Sequence, residues 1–318
     1  MILITGGGGF LGLNLARDLA EKGKEVILLS WVYDRHKTEV PSFLTQYWDK
    51  EVQEVTGDIL EWTSIWGVMA KYPIDSIVHA AGTWPGRAGE TSLYKVVSVD
   101  VVGTLNILEA ARLLGLHRVT FISSVAVYFG LPEKARIDEA IDLPAIHPDV
   151  ISSTKKAAEQ ICSLYSNMHK MDVPIVRVAR VYGPAAHWGI NPLERMVMSA
   201  IKGAPADCLD VYEGNYMCPI HAKDCAKGIS TIHLAKKLKH TIYNLADGNC
   251  VTNGQIANIV REIFPHADIR LATSQRSDPS FHFDLDMSRI KAEGWAPEYS
   301  DLRKGIQAYV DYVLYGKY

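Results

Sequence analysis

From Met1 to Tyr182, short and almost unbroken apolar runs alternate with stretches whose apolar residues recur every three or four positions. Met1–Thr5, Glu25–Ser30, Val52–Val55, Asp75–Ala80, Arg118–Ser123 and Pro174–Val178 are the apolar runs, and each predicts a strand. Phe10–Lys22 carries Leu11, Leu15 and Leu19 at helical spacing, and Leu93–Leu114 and Ser153–His169 also read as helices. Strands that are apolar throughout, rather than alternately, are buried on both faces. Strands alternating with helices pair in parallel through right-handed crossovers. The pattern therefore predicts an α/β fold with a doubly wound parallel sheet. After Tyr182-Gly183-Pro184 it becomes irregular, with helices at Gly254–Ile263 and Leu302–Leu314 and a last sheet strand near Ile242–Ala246. Residues 1–182 and 217–250 are expected to form the main domain, and 183–216 and 251–318 a smaller C-terminal lobe.

Charge narrows the picture. Lys and Arg number 33 against 36 Asp and Glu, so no basic surface is available for nucleic acid. No apolar run reaches the roughly 18–20 residues of a membrane span. The first strand starts at Met1, so no leader is expected before it. Cys162, Cys208, Cys218, Cys225 and Cys250 are scattered without a CxxC pair. That predicts neither zinc nor disulfides, but free buried thiols in a cytoplasmic protein. No metal site is expected.

The chemistry is announced at the N-terminus. The first strand runs directly into Gly6-Gly7-Gly8-Gly9-Phe10-Leu11-Gly12 and then a helix. Glycines at 6, 9 and 12 allow a tight turn, close backbone approach to a pyrophosphate and close helix–strand packing. The helix N-terminus adds unpaired N–H groups and partial positive charge. A dinucleotide cofactor is implied. Ser30, rather than an acidic residue, ends the second strand, with Asp34, Arg35 and Lys37 following. Ser30 with Arg35 tilts the expectation towards NADP, with Asp34 reaching a ribose as the reading that would give NAD.

These and later motifs make the chain similar to the extended short-chain dehydrogenase/reductases of the epimerase/dehydratase type. Thr5–Gly12 resembles their cofactor loop, Gly57-Asp58-Ile59 their adenine-binding turn, and His79-Ala80-Ala81-Gly82 the segment lining the cofactor. Val99-Asp100-Val101-Val102-Gly103-Thr104 resembles N-V-x-G-T, with Asp100 where Asn is usual. Phe121–Tyr128 resembles the strand carrying the catalytic serine, here Ser124. Arg177–Pro184 resembles R-x-x-N-x-Y-G-P, and Asp286–Pro297 the closing C-terminal motif. The resemblance implies cofactor contacts from Gly6, Gly9, Phe10, Leu11, Gly12, Ser30, Arg35, Asp58, Ile59, Ala80, Ala81, Gly82 and Lys155. It implies substrate contacts from Thr83 and Ser124. It also implies a homodimer built on the helices Leu93–Leu114 and Ser153–His169.

Two departures matter. The family's Y-x-x-x-K places tyrosine and lysine one helical turn apart. Lys155 takes the lysine position, but Ile151 stands four residues before it, and isoleucine has no proton to exchange. Losing a placed acid/base costs on the order of 10²–10⁴ in rate. Ser152, Ser124, Tyr128 or Lys155 through water could take over, the substrate could be already activated, or the site could bind cofactor without turnover. The second departure lies where the main domain borders the substrate lobe. Met217 replaces the arginine that grips a diphosphate in nucleotide-sugar enzymes, and Arg180 replaces the asparagine of R-x-x-N-x-Y-G-P. Arg180 and the nearby His187 and Trp188 are candidate contacts for a smaller anionic substrate. The sequence thus points to an NAD(P)-dependent oxidoreductase, epimerase or dehydratase acting on a hydroxyl or carbonyl carbon. A cofactor-binding regulatory protein and a non-redox lyase or isomerase are the alternatives.

Overall fold

The computed structural model describes residues 1–31, 40–83, 92–131, 136–186, 191–247, 250–273 and 284–318. Strands β1 (Ile2–Thr5), β2 (Val26–Ser30), β3 (Val52–Thr56), β4 (Ser76–His79), β5 (Arg118–Ser124), β6 (Ile175–Val178) and β7 (Ile242–Leu245) form one seven-stranded sheet. Its order is β7-β6-β5-β4-β1-β2-β3, and every neighbouring pair is parallel. The chain starts in the middle, winds outward to β3, then crosses back to build the other half from β4. The order reverses beside β1, so the carboxyl ends of β1 and β4 flank a crevice where such sheets bind ligands.

Alternate strand residues feed two separate cores. Ile2, Ile4, Leu28, Val78 and Val176 pack on one face, while Leu3, Ile27, Ile77, Phe121 and Ile175 pack on the other. Both faces are covered, which is why the strands read as continuous apolar runs. The covering helices are α1 (Phe10–Glu21), α2 (Trp62–Lys71), α3 (Leu93–Val97), α4 (Gly103–Leu114), α5 (Val150–His169) and, past the lobe's first helix α6 (Pro192–Ile201), α7 (Ala222–Leu234). The region Leu93–Leu114 is helical throughout, as its periodicity indicates, but Ser98–Val102 forms a π turn between α3 and α4. Such turns occur frequently at functional sites. Helix α5 begins three residues before the position suggested by its apolar pattern. Asp149 caps it by accepting from the Ser152 N–H at 2.9 Å, a local bond that periodicity does not report.

A third core gathers Tyr182, Leu193, Met196, Val197, Ile256, Val260, Ile306 and Tyr309. It is built by α6, α8 (Asn253–Ile263), and, beyond the short α9 (Ser288–Ala292), by α10 (Leu302–Tyr315), with the parallel pair Ala206–Tyr212 and Ile269–Ala272. The short strand Arg180–Tyr182 pairs with Pro219–His221 beyond the end of β6.

The cysteine expectation needs correction. Cys218 and Cys250 are joined by a disulfide, while Cys162, Cys208 and Cys225 are free and buried. Tyr216–Met217 pairs antiparallel with Val251–Thr252, so the flanking residues 218 and 250 face each other across 32 positions of sequence. Sequence spacing contains no trace of that pairing. Among the described residues no helix is long and apolar enough to cross a membrane. Nor does any group of three or more His, Cys, Asp or Glu among them form a metal-binding cluster.

Candidate active site

The glycine loop is a cradle shaped by close approach. Gly6 sits at φ +68°, and a Cβ there would lie 2.8 Å from the Ala81 Cα, so loop and β4 end touch backbone to backbone. At Gly12, in the first turn of α1, a Cβ would lie 2.5 Å from the Gly7 carbonyl oxygen. Gly9 differs: a Cβ there would meet only the Gly6 carbonyl, at 3.1 Å. Its outer side is therefore open above the N-terminus of α1, where unpaired N–H groups point. Phe10 and Leu11 follow it, both half-buried.

Ser30 is 2% exposed, and its hydroxyl accepts the Gly8 N–H at 2.7 Å. It is engaged in shaping the loop. The Glu54 carboxylate, from β3, stands beside it, 3.0 Å from where a Gly8 Cβ would be. Arg35, the residue whose charge would suit a 2′-phosphate, lies outside the described residues. Asp58 turns the chain after β3 by accepting the Leu60 N–H at 2.8 Å. Ile59 is buried, its carbonyl accepting from Asn106.

A chain of buried hydrogen bonds links this loop to the helix behind it. The Ala81 N–H meets the Thr5 hydroxyl at 3.2 Å, Thr5 meets His79 Nδ1 at 2.6 Å, and His79 Nε2 meets Thr104 at 3.0 Å. The Thr104 hydroxyl in turn donates to the Asp100 carbonyl at 2.6 Å. Since Thr104 spends its proton on that carbonyl, it accepts from His79 Nε2–H. Nδ1 is then the acceptor for the Thr5 hydroxyl. Every proton has one place, and the imidazole is neutral. Burial, with the nearby positive charge of Lys155, pushes the His79 pKa down to about 3.

Ser124 closes β5, and Lys155 reaches the same strand at Ile122. Ser124 is half-buried, and its Oγ accepts the Ala126 N–H at 3.1 Å. Lys155 reaches from α5 to donate to the Ile122 carbonyl at 3.0 Å. Its amine lies over the Phe121 ring and 3.3 Å from where a Gly82 Cβ would be. Burial lowers the Lys155 pKa, opposed by Asp100, Cys162 and Glu159. Ile151, Lys155 and Glu159 follow one another at four-residue steps along α5, and Ile151 is half-buried in its first turn.

Two of the groups expected to be able to exchange a proton are committed elsewhere. Ser152 is buried and donates to the Asp149 carbonyl at 3.0 Å, within the helix cap. Tyr128 is fully buried, donating to Asn244 at 2.7 Å and accepting from Arg177 at 2.8 Å. Burial raises its pKa to about 12 against the pull of Arg177. Arg177 also grips Glu159 through two bonds of 2.9 and 2.7 Å, and Ser123 donates to the same carboxylate at 2.6 Å.

Arg180, on the short strand beyond β6, is half-buried, and its backbone N–H donates to the Cys218 carbonyl at 3.1 Å. Opposite it stands Glu194, 5% exposed on the first turn of α6. Burial raises the Glu194 pKa to about 8, with Arg180 pulling it back. Nothing in the irregular sequence around Glu194 signals it. Met217 is buried. Thr83 donates its N–H to Asp100 at 2.8 Å, which ties the segment Ala80–Thr83 to the π turn. His187 and Trp188 lie outside the described residues.

Known proteins show the same architecture. Over 318 aligned residues the chain is 23% identical to a putative UDP-glucose 4-epimerase of Methanocaldococcus jannaschii, covering 98% of both chains. It is 26% identical to the UDP-glucuronate 4-epimerase of Thermodesulfobacterium geofontis, covering 98% of this chain and 95% of that one. Among solved structures, the NAD complex of Thermus thermophilus UDP-glucose 4-epimerase superposes with a TM-score of 0.82 at 23% identity, over 98% of this chain and 97% of that one. Residues 2–246, which span the whole sheet and the site, match the NAD dependent epimerase/dehydratase family. The protein is an enzyme of the extended short-chain dehydrogenase/reductase type and belongs to the NAD-dependent epimerase/dehydratase family.

Proposed function

We propose that the enzyme uses NAD to act on a hydroxyl-bearing or carbonyl carbon of a small polar substrate, with Ser124 and Lys155 serving the site and Ile151 standing where relatives of this type carry tyrosine. The observation that carries this reading is Lys155, drawn from α5 across to the Ile122 carbonyl of β5, beside Gly82. When bound, the cofactor supplies hydride exchange at the substrate carbon. The chain's part is different. The Gly6–Gly12 cradle holds the pyrophosphate through backbone N–H groups. Lys155 offers N–H donors and a titratable proton, and Ser124 a hydroxyl for the substrate oxygen. Thr83 and Arg180 flank the substrate side. Asp58, Ile59, Ala80, Ala81 and Gly82 border the rest of the cofactor.

The surroundings of Ser30 favour NAD over NADP. The serine is spent on Gly8, and the Glu54 carboxylate beside it repels a 2′-phosphate. The NAD complexes of the Thermus thermophilus and Bacillus cereus epimerases agree with this choice. Those relatives act on UDP-sugars by name, but buried Met217 offers no bidentate grip on a diphosphate. A smaller acidic or keto substrate fits this lobe better. We assign residues 1–182 and 217–250 to the main domain and 183–216 and 251–318 to the lobe. Exposed Leu93, Tyr94, Leu105, Leu164 and Met168 on α3, α4 and α5 form the surface of a homodimer.

The test is a fluorescence titration of wild type and Lys155→Ala with NADH and NADPH. A second step incubates enzyme and cofactor with UDP-glucose, UDP-glucuronate and free sugar acids, following the absorbance of reduced cofactor. NADH is expected to bind more tightly than NADPH, and Lys155→Ala to weaken NADH by about tenfold or more, the loss of one charged hydrogen bond. Equal NADH affinity in wild type and Lys155→Ala would remove Lys155 from the site.

A further inference from the structure

Two positions at which this chain departs from its resemblance meet at Lys155. Ile151 removes an ionisable group one turn ahead of it. Asp100 introduces a carboxylate where an uncharged asparagine is usual. Asp100 is 2% exposed and sits in the π turn Ser98–Val102. One carboxylate oxygen accepts the Thr83 N–H at 2.8 Å and the other the Thr154 hydroxyl at 2.7 Å. Oδ1 is thus an acceptor for a backbone N–H, and the Thr154 hydroxyl on the other oxygen also has the Ile151 carbonyl within 3.3 Å. The same Oδ1 and the Lys155 amine border one face of Gly82, at 3.4 and 3.3 Å from where its Cβ would lie. Through Thr154 the carboxylate also holds the helix residue directly before Lys155.

We infer that Asp100 is a positioning residue that supplies the negative charge facing Lys155 in a site that has lost its tyrosine, keeping the lysine protonated and aimed at the cleft. The inference rests on reading Lys155 as the site's lysine. A buried ammonium with no counter-charge sheds its proton, and a carboxylate within a few ångströms prevents this. The other groups around Lys155 do not substitute for it. Glu159 is already gripped by Arg177. Burial pushes the Cys162 thiol up, so it stays neutral. His79 is neutral by its hydrogen bonds.

The experiment reads the ionisation of Lys155 without requiring turnover. The full chain is labelled competitively with acetic anhydride from mildly acidic to alkaline pH, and acetylation of Lys155 is followed by mass spectrometry with exposed Lys170 as reference. D100N keeps the shape of the side chain and removes its charge. T154V removes one hydrogen bond and keeps the charge. The labelling midpoint of Lys155 is expected to fall in D100N by about one unit or more, a tenfold rise in free amine at a given pH. In T154V it stays near the wild-type value. Asp100→Ser serves in place of D100N should that variant not fold. An unchanged midpoint in the neutral variant, or an equal shift in T154V, overturns the inference. Because the measurement needs no cofactor, it stands apart from the NADH titration that tests Lys155 itself.

Discussion

The bond network that holds the Lys155 helix gives a sharp prediction. Arg177 on β6 and Glu159 on α5 are each 3% exposed in their side chains and joined by two hydrogen bonds. Arg177→Met would leave the Glu159 charge buried with only the Ser123 hydroxyl as its partner, and would free Tyr128 of its donor. Stranding one member of a buried pair costs about 3–5 kcal/mol. At about 2–4 °C per kcal/mol for a domain of this size, the melting temperature should fall by about 6–20 °C. The assay is thermal unfolding by circular dichroism at several pH values. In Arg177→Met, Glu159 gains a folded-state pKa above its unfolded value. Stability relative to wild type should thus be regained at low pH, where the carboxyl is protonated in both states, and lost as pH rises through the raised pKa. The double variant Arg177→Met/Glu159→Gln should recover most of the loss, since an uncharged pair can be as stable as the ionic one. Glu159 lies one turn from Lys155, so the single variant should also weaken NADH. A single variant within about 1 kcal/mol of wild type, the spread of ordinary exposed pairs, would refute the reasoning.

Other outcomes follow from the same geometry. Gly9→Val puts a branched side chain over the open face of the loop and should reduce NADH affinity at least about tenfold, while Gly12→Val, crowded by the protein's own backbone, should reduce folding stability, by about 1–3 kcal/mol of overpacking or more; equal melting temperatures for the two would count against this division. Ser30→Ala removes the acceptor of the Gly8 N–H and should cost about 1 kcal/mol in stability, read from urea unfolding, with reduced cofactor affinity. His79, His221 and His233 are buried, and burial together with neighbouring cations holds each near a pKa of about 3. Their unfolded forms bind protons first, so stability should drop as pH falls from about 6.5 towards 3, by at most about 4 kcal/mol per unit if all three act; a flat profile between pH 7 and 5 would contradict it. Leu105→Glu with Leu164→Glu should convert a dimer to monomer in light scattering without lowering the monomer's unfolding free energy, since both side chains are exposed in the single chain.

What the sequence determined by itself was everything governed by local periodicity and local backbone demands. Apolar runs such as Val26–Ser30 and Ser76–His79 are strands because a parallel sheet covered on both faces tolerates no polar side. Gly6 and Gly12 were legible because a left-handed turn and a 2.5 Å backbone approach exclude any side chain, which fixes the residue type at those positions. That Ile151 and Lys155 stand one turn apart on one helix was legible because about four residues make a helical turn. What only the tertiary structure decided were relations between distant segments. Ser30 looked like a cofactor-selecting side chain, yet its hydroxyl is taken by Gly8, 22 positions away. Tyr128 and Ser152 looked available, and are consumed by Asn244 with Arg177 and by a helix cap. Cys218 and Cys250 looked unrelated until an antiparallel pairing brought them together. Asp100 was visible only as an unusual letter; its two bonds, to Thr83 after β4 and to Thr154 on α5 54 residues on, come from the packing of the π turn between those segments. A hydrogen bond has a range of about 3 Å, and the chain's own order says nothing about which polar groups will come within it once the sheet has brought its crossovers together.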